Sequence, residues 1–174
     1  MLAYVQTLLN VALRKKGPED LPDSRFLLWV TFLVYLLLQV PLGWIAYGPS
    51  AVLVSTIAVS IILVVSGLWV LLALFGYKAR FRQSLTAMLG TNALLSALSM
   101  PFSLWRDITI NFESGVALPS TIIFAIMVWS LVIDGHIFSR AISKSFGIGL
   151  MISVAFFFMH TAILFELMPD EIGS

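Results

Sequence analysis

The sequence contains no cysteine, and few of its residues carry a charge. Without cysteine, structural disulfides and thiolate metal sites are excluded. Charged residues make up 11% of the 174 residues, whereas 60% are hydrophobic, which lies outside the usual range of soluble domains. The composition therefore excludes a water-soluble globular protein and indicates an integral membrane protein.

Sequence motifs of common catalytic sites are also missing. The chain has no HExxH zinc helix, no GxSxG nucleophile elbow and no Walker lysine loop. Its polar segments are too short to form a separate catalytic domain, and its basic residues are divided among short segments that do not favour nucleic-acid binding. We therefore predict that the protein is not an enzyme and has no catalytic, cofactor or metal site.

Five long apolar runs dominate what is present. Residues 26–47, 51–75, 84–104, 116–138 and 145–167 each have about the 20 residues needed to cross roughly 30 Å of hydrocarbon. These runs use most of the chain after Ser24, so no second folded domain is expected. We predict an all-α integral membrane protein in which residues 26–168 form a bundle of five transmembrane helices, followed by a short acidic tail over 169–174.

The basic residues are distributed unevenly along this threading. Nine of the ten fall on one side of the membrane: four precede the first run, three lie between the second and third, and two lie between the fourth and fifth. Only Arg106 falls on the other side. Cytoplasmic loops carry an excess of Lys and Arg, so we predict a bacterial inner-membrane protein with a cytoplasmic N-terminus and a periplasmic or extracellular C-terminus.

The first sixteen residues are too short to span the membrane. Residues 1–13 form about 20 Å of helix at 1.5 Å per residue, and Arg14, Lys15 and Lys16 follow the apolar part instead of preceding it as in a signal peptide. On a helical wheel the polar side chains share one face, and the opposite face is apolar. The apolar face consists of Leu2, Val5, Leu9, Ala12 and Leu13. We predict an amphipathic interfacial helix over 1–16, which either lies among anionic headgroups or packs against the rim of the bundle, and a connector over 17–25.

Small residues within the runs mark places where helices can approach closely. In the fifth run, Ser143 and Gly147 form one small-xxx-small pair, and Gly149 and Ser153 form another. Gly90 begins a similar group in the third run. We therefore predict helix packing at Gly90, Gly147 and Gly149. A phosphate-binding loop at Gly147 and Gly149 is disfavoured because no predicted strand precedes these glycines.

Ionisable and amide side chains inside a membrane are candidates for function. Asn92, Asp134 and His160 are the main ones, and Asn92 is expected to form a hydrogen bond between helices. Asp134 lies near the inner end of the fourth run and His160 lies well along the fifth, so direct contact between them is not expected. Asp134 is instead expected to pair with a basic residue of the inner surface, and His160 is expected to be a hydrogen-bonded packing residue.

The segment that enters the third run, GYKARFRQSL over 76–85, resembles the Yip1-like family of small five-span membrane proteins. Gly76, Phe81, Gln83 and Leu85 match positions that are common in its bacterial branch. The resemblance implies a non-enzymatic membrane protein with a cytoplasmic N-terminus. The long polar N-terminal arm of the eukaryotic traffic proteins is not found here, which favours the bacterial branch.

Two functions are consistent with these features. The first is a non-catalytic scaffold or accessory subunit that binds the phospholipid bilayer and a membrane-protein partner, or a second copy of itself, through its basic face. The candidate contacts are Arg14, Lys15, Lys16, Lys78, Arg80 and Arg82. The alternative is a small transporter or channel component with a polar path near Asn92, Asp134 and His160.

Overall fold

The protein is an all-helical, multi-pass membrane protein. The computed structural model describes residues 2–48, 51–110 and 115–167, so the predicted acidic tail lies outside the described residues. Its helices are α1 (Leu2–Ala12), α2 (Arg25–Tyr47), α3 (Ala51–Leu74), α4 (Phe81–Thr109), α5 (Ala117–Ala141) and α6 (Phe146–Leu167). Helices α2 to α6 are each long and apolar enough to span a bilayer. The predicted fold class is therefore confirmed.

Helix α4 is the central element of the bundle. It packs against α2 and α5 most extensively, and it also contacts α1 and α3. Every residue over 84–91 is buried, because neighbouring elements surround this half of the helix. At 29 residues it also extends beyond the predicted run of 84–104 at both ends. Polar residues such as Arg82 and Asp107 lowered the apolar signal there, although the helix continues through them.

Helix α1 packs against the bundle through a face that shares only Ala12 with the face that the helical wheel selected. Leu8, Val11 and Ala12 are buried, whereas Val5 and Leu9 are exposed. Gly90 of α4 makes room for this helix, since a Cβ there would lie 2.6 Å from the Leu8 side chain. The apolar surface of α1 is therefore wider than predicted, and one side meets protein while the other stays uncovered.

A hydrogen-bonded chain ties α1 to α2. The hydroxyl of Tyr4 bonds to Thr31 Oγ1, and the Thr31 hydroxyl donates to the Leu27 carbonyl at 2.7 Å. Burial raises the pKa of Tyr4 above its usual value, although the bond to Thr31 opposes this. Tyr4 thus stays protonated and donates, which fixes the start of α1 beside α2.

The loops that carry most of the basic residues meet at one end of the bundle, which we call the basic end. The Arg80 guanidinium joins two of them, because it donates to the carbonyls of Arg140 and Ala141, both at 3.1 Å, and to Ser143 Oγ at 2.7 Å. The Gln83 amide donates to the Leu21 carbonyl at 2.8 Å. These bonds hold the connector and both loops together beneath the bundle.

The start of α2 is defined by a side-chain cap. Ser24 Oγ accepts a hydrogen bond from the Leu27 amide at 3.4 Å, which satisfies one of the free amide groups of the first turn. The preceding residue, Asp23, forms an ion pair with Arg82 at 2.8 Å. The connector therefore both caps α2 and attaches it to α4.

Candidate functional site

An open-sided cavity of about 220 Å³, with both polar and apolar side chains in its lining, lies between α2, α3, α4, α5 and α6. At about 30 Å³ per water molecule in the liquid, this volume has room for several waters. Each of the five helices contributes polar residues to the lining. These residues are Tyr35, Gln39, Ser60, Asn92, Ser130, Asp134, Ser153 and His160. The three intramembrane candidates of the sequence, Asn92, Asp134 and His160, thus line the same cavity.

Asp134 is the most unusual group in this lining. Its Oδ1 atom is buried and has no hydrogen-bond partner among the described residues, while the rest of the residue is partly exposed to the cavity. Tyr35 lines the same cavity as this carboxyl group. A carboxylate without a partner in such surroundings is energetically costly.

The expected pairing of Asp134 with a basic residue is wrong. Over the described ranges, the ion pairs join Arg82 to Asp23 at 2.8 Å and Arg140 to Glu19 at 2.9 Å. The Arg80 guanidinium is held by the loop after α5. Asp134 lies seven residues before the end of α5, or about 10 Å of helix. It faces the interior, so the acidic residues of the connector are nearer partners for these cations.

His160 forms a hydrogen bond across the bundle, as expected. Its Nε2 atom lies 3.0 Å from Ser60 Oγ, which connects α6 to α3. His160 and Asp134 do not bond to each other, in agreement with their different depths, yet the cavity is long enough to reach both. Asn92 makes no hydrogen bond to another described residue. The prediction of an interhelical bond there is therefore wrong, because its side chain faces the cavity.

Close packing of α5 on α6 positions one wall of the cavity. A Cβ on Gly149 would lie 2.1 Å from the Gly135 carbonyl oxygen and 2.7 Å from the Ser139 amide nitrogen, so only glycine allows this approach. One turn further along α6, the Ser153 hydroxyl donates to the Leu131 carbonyl at 2.9 Å. At Gly147, by contrast, a Cβ would meet nothing within 4 Å, so the predicted packing at Gly147 is not found.

Several lining residues were missed by the sequence analysis, although their spacing carried a signal. Tyr35 and Gln39 are four residues apart on α2, and Ser130 and Asp134 are four apart on α5. Side chains at this spacing share one face of a helix. Two such polar pairs within apolar helices indicate a shared polar interior, but the sequence does not say that the pairs face each other.

The candidate contact residues at the basic end are partly engaged within the chain. The Arg14 guanidinium lies 4.0 Å from the centre of the Phe146 ring, and the Lys78 ammonium lies 5.4 Å from that of Trp69. The Lys16 carbonyl bonds to His136 Nε2 at 2.8 Å. Lys15 and Lys78 remain exposed, whereas Arg80 and Arg82 hold the loops together.

In comparisons with family models, curated proteins and solved structures, no match to this chain was found. The resemblance to the Yip1-like family therefore stays a prediction. Within the described ranges, no group of three or more His, Asp or Glu side chains is arranged to hold a metal ion.

Proposed function

We propose that this protein is a small transporter or channel component that takes up a proton or a small cation at Asp134. The observation that carries the proposal is the buried Asp134 Oδ1 atom, which has no partner among the described residues and belongs to a residue that lines a polar cavity. This is the alternative function of the sequence analysis, now favoured because three separate candidates line one cavity.

The chemistry of the lining selects a cation. Asp134 is the only carboxyl group among the described lining residues, and the neighbouring groups are hydroxyl, amide and imidazole groups. Such groups can replace part of the hydration shell of a small cation or carry a proton by way of water. A carboxylate in a low-dielectric interior is stabilised strongly by an opposite charge.

The proposal is tested with purified protein in liposomes that contain a pH-sensitive dye. Proton uptake is driven by a potassium diffusion potential, and uptake of radioactive Na⁺ or Rb⁺ is measured separately. We expect the wild-type protein to raise uptake of one of these ions above that of empty liposomes. Asp134→Asn should lower it at least tenfold, because the amide has nearly the same size but has no negative charge to stabilise the cation and does not take up a proton.

Asp107→Asn is the matched control, because Asp107 is exposed near the far end of α4 and does not line the cavity. It should keep wild-type uptake. Asp134→Asn should also keep wild-type abundance, since no described partner loses an ion pair. Wild-type liposomes that take up none of these ions faster than empty ones would contradict the proposal.

A second candidate function, a scaffold that binds anionic lipid or a membrane-protein partner, is supported by the exposed lysines of the basic end. Lys15, Lys78 and Lys144 are exposed, and the two described ion pairs involve arginines instead. Affinity purification from the native membrane in mild detergent tests this function. A stoichiometric partner that is lost when the three lysines are changed to glutamine would support it, and purification of the protein alone in repeated trials would contradict it.

We also propose that the basic end faces the cytoplasm of a bacterial inner membrane. The support is the unequal distribution of Lys and Arg between the two ends. An alkaline phosphatase fused after Ser174 should be active, because five spans carry the C-terminus outward. A silent phosphatase together with a fluorescent cytoplasmic reporter at the same position would reverse this orientation.

A further inference from the structure

A second cavity, open-sided and of about 290 Å³, lies between α2, α3 and α6 toward the end of the bundle opposite the basic end, and its lining is mostly apolar except at the residues named below. Tyr47 is the last residue of α2, and Leu53 lies two residues after the start of α3. Leu164 lies three residues before the end of α6. Because all three line the cavity, it reaches the level where these helices end. We call it the outer cavity, and the one that contains Asp134 the inner cavity.

The two cavities share a wall of four residues, namely Tyr35, Gln39, Ser60 and His160. These residues come from the three helices that surround the outer cavity. The hydrogen bond between His160 Nε2 and Ser60 Oγ, at 3.0 Å, joins α6 to α3 at this shared wall. The shared wall is therefore a polar junction between the outer and the inner cavity.

His160 and Ser60 lie closer to the end opposite the basic end than Asp134 does. His160 lies seven residues before the end of α6 and Ser60 lies nine residues after the start of α3, which places both about 10 to 14 Å from the end opposite the basic end. Asp134 lies 17 residues after the start of α5, or about 26 Å from that end. The outer cavity thus covers the first part of the path, and the inner cavity covers the rest.

On the other side of Asp134, the described residues close the bundle. Met88 and Phe138 line the inner cavity and are 2% exposed. Leu72, Ile137 and Ile142 belong to the same buried cluster and are 0% exposed. The segment between Asp134 and the basic end is therefore a packed core of mostly apolar side chains, in which Ser84, Thr86 and Ser139 are also buried.

We infer that Asp134 is reached from one side only, along an access route that runs from the end opposite the basic end through the outer cavity and past the junction of His160 and Ser60. The occupant of the route is water carrying a proton or a small monovalent cation. This inference rests on the proposed function for the identity of the occupant. The route itself is a property of the fold and is tested separately.

The absence of cysteine from the chain makes single-cysteine labelling a direct test. Ser60→Cys places a thiol in the outer cavity, and Thr56→Cys is a second variant in the same lining. Ser66→Cys is the matched control, because Ser66 lines neither cavity and lies far from both ends of the same helix, so that its exposed side chain would meet lipid and not water. Ala117→Cys and Ala79→Cys report the two ends, since both residues are exposed at opposite ends of the bundle.

The probe is a cationic methanethiosulfonate that does not cross membranes, applied to spheroplasts and to inverted vesicles. We expect Ser60→Cys and Thr56→Cys to react with the probe from the same side of the membrane as Ala117→Cys. Their reaction rates from that side should be at least tenfold higher than from the side on which Ala79→Cys reacts. Ser66→Cys should react in neither. Reaction of both cavity variants from the side of Ala79, or from neither side while Ala117→Cys reacts, would overturn the inferred route.

The junction is tested with Ser130→Cys, which lines the inner cavity. Its thiol should react from the same side as Ser60→Cys but at least tenfold more slowly, and His160→Ala should raise its rate. An unchanged rate would contradict the role of the junction. Labelling does not require ion flux, so one-sided labelling without any ion uptake would support the route and contradict the proposed function. Ion uptake without one-sided labelling would support the proposed function and contradict the route.

Discussion

Replacement of Gly149 by alanine tests the helix contact that positions the candidate site. A Cβ at this position would lie 2.1 Å from the Gly135 carbonyl oxygen, 2.6 Å from Ser139 Cβ and 2.7 Å from the Ser139 amide nitrogen. Two of these atoms are backbone atoms of α5, which cannot rotate away. To restore a normal contact of about 3.4 Å, α5 and α6 must separate by more than 1 Å.

Gly147→Ala is the matched control, because Gly147 lies on the same helix and a Cβ there would meet nothing within 4 Å. Both substitutions gain the helix propensity of alanine over glycine, about 1 kcal/mol. Overpacking of a tight contact costs about 1–3 kcal/mol. We therefore expect Gly149→Ala to lower the free energy of unfolding by about 1 kcal/mol, whereas Gly147→Ala leaves it unchanged or raises it by up to about 1 kcal/mol, so that the two variants differ by up to about 2 kcal/mol.

The free energy of unfolding is measured by titrating dodecyl maltoside micelles with sodium dodecyl sulfate and following tryptophan fluorescence. Separation of α5 from α6 should also weaken the bond from Ser153 to the Leu131 carbonyl, now 2.9 Å, and thereby widen the inner cavity. Ser130→Cys should then react faster in the Gly149→Ala background than in the Gly147→Ala background. Equal stability of the two alanine variants would refute the close contact.

Changes at four further residues probe the basic end, the connector and α1 in the same detergent titration. Arg80→Ala should lower the free energy of unfolding by about 1–3 kcal/mol, because three hydrogen bonds from a charged group are lost. Arg82→Ala should lower it by at most about 1 kcal/mol, since its ion pair is exposed. Equal losses would contradict this ranking. Tyr4→Phe should cost about 1 kcal/mol through loss of the bond to Thr31, and an unchanged midpoint would contradict that bond. Ser24→Ala should cost about 0.5–1 kcal/mol, and Ser24→Asp should restore the cap; failure of the aspartate to do so would contradict a capping role.

The sequence predicted the spans well because a bilayer sets the length of an apolar helix independently of its neighbours. The start of α2 could be predicted to lie at Asp23 or Ser24, since a cap acts within a few residues, and the structure assigns the cap to Ser24. The face of α1 could not be predicted. Leu8 is buried because Gly90 of α4 leaves space for it, and this complementarity joins residues far apart in the chain.

The pairing of Asp134 was wrong for a similar reason. The sequence indicates how far Asp134 lies from the end of its helix, but not the direction in which the helix faces. Arg82 and Arg140 had nearer acidic partners in the connector, Asp23 and Glu19. Competition between partners is decided by distances in space, which the order of residues does not contain.

A membrane protein with five spans and one basic end follows from the order of the residues alone, because hydrophobicity and charge act on each segment separately. The packing of the helices, by contrast, brings Asn92, Asp134 and His160 to one cavity and places a second cavity beside it toward the opposite end. The rotation of each helix about its axis and the close approach at Gly149 set these arrangements. Both depend on packing between helices, which no single segment encodes.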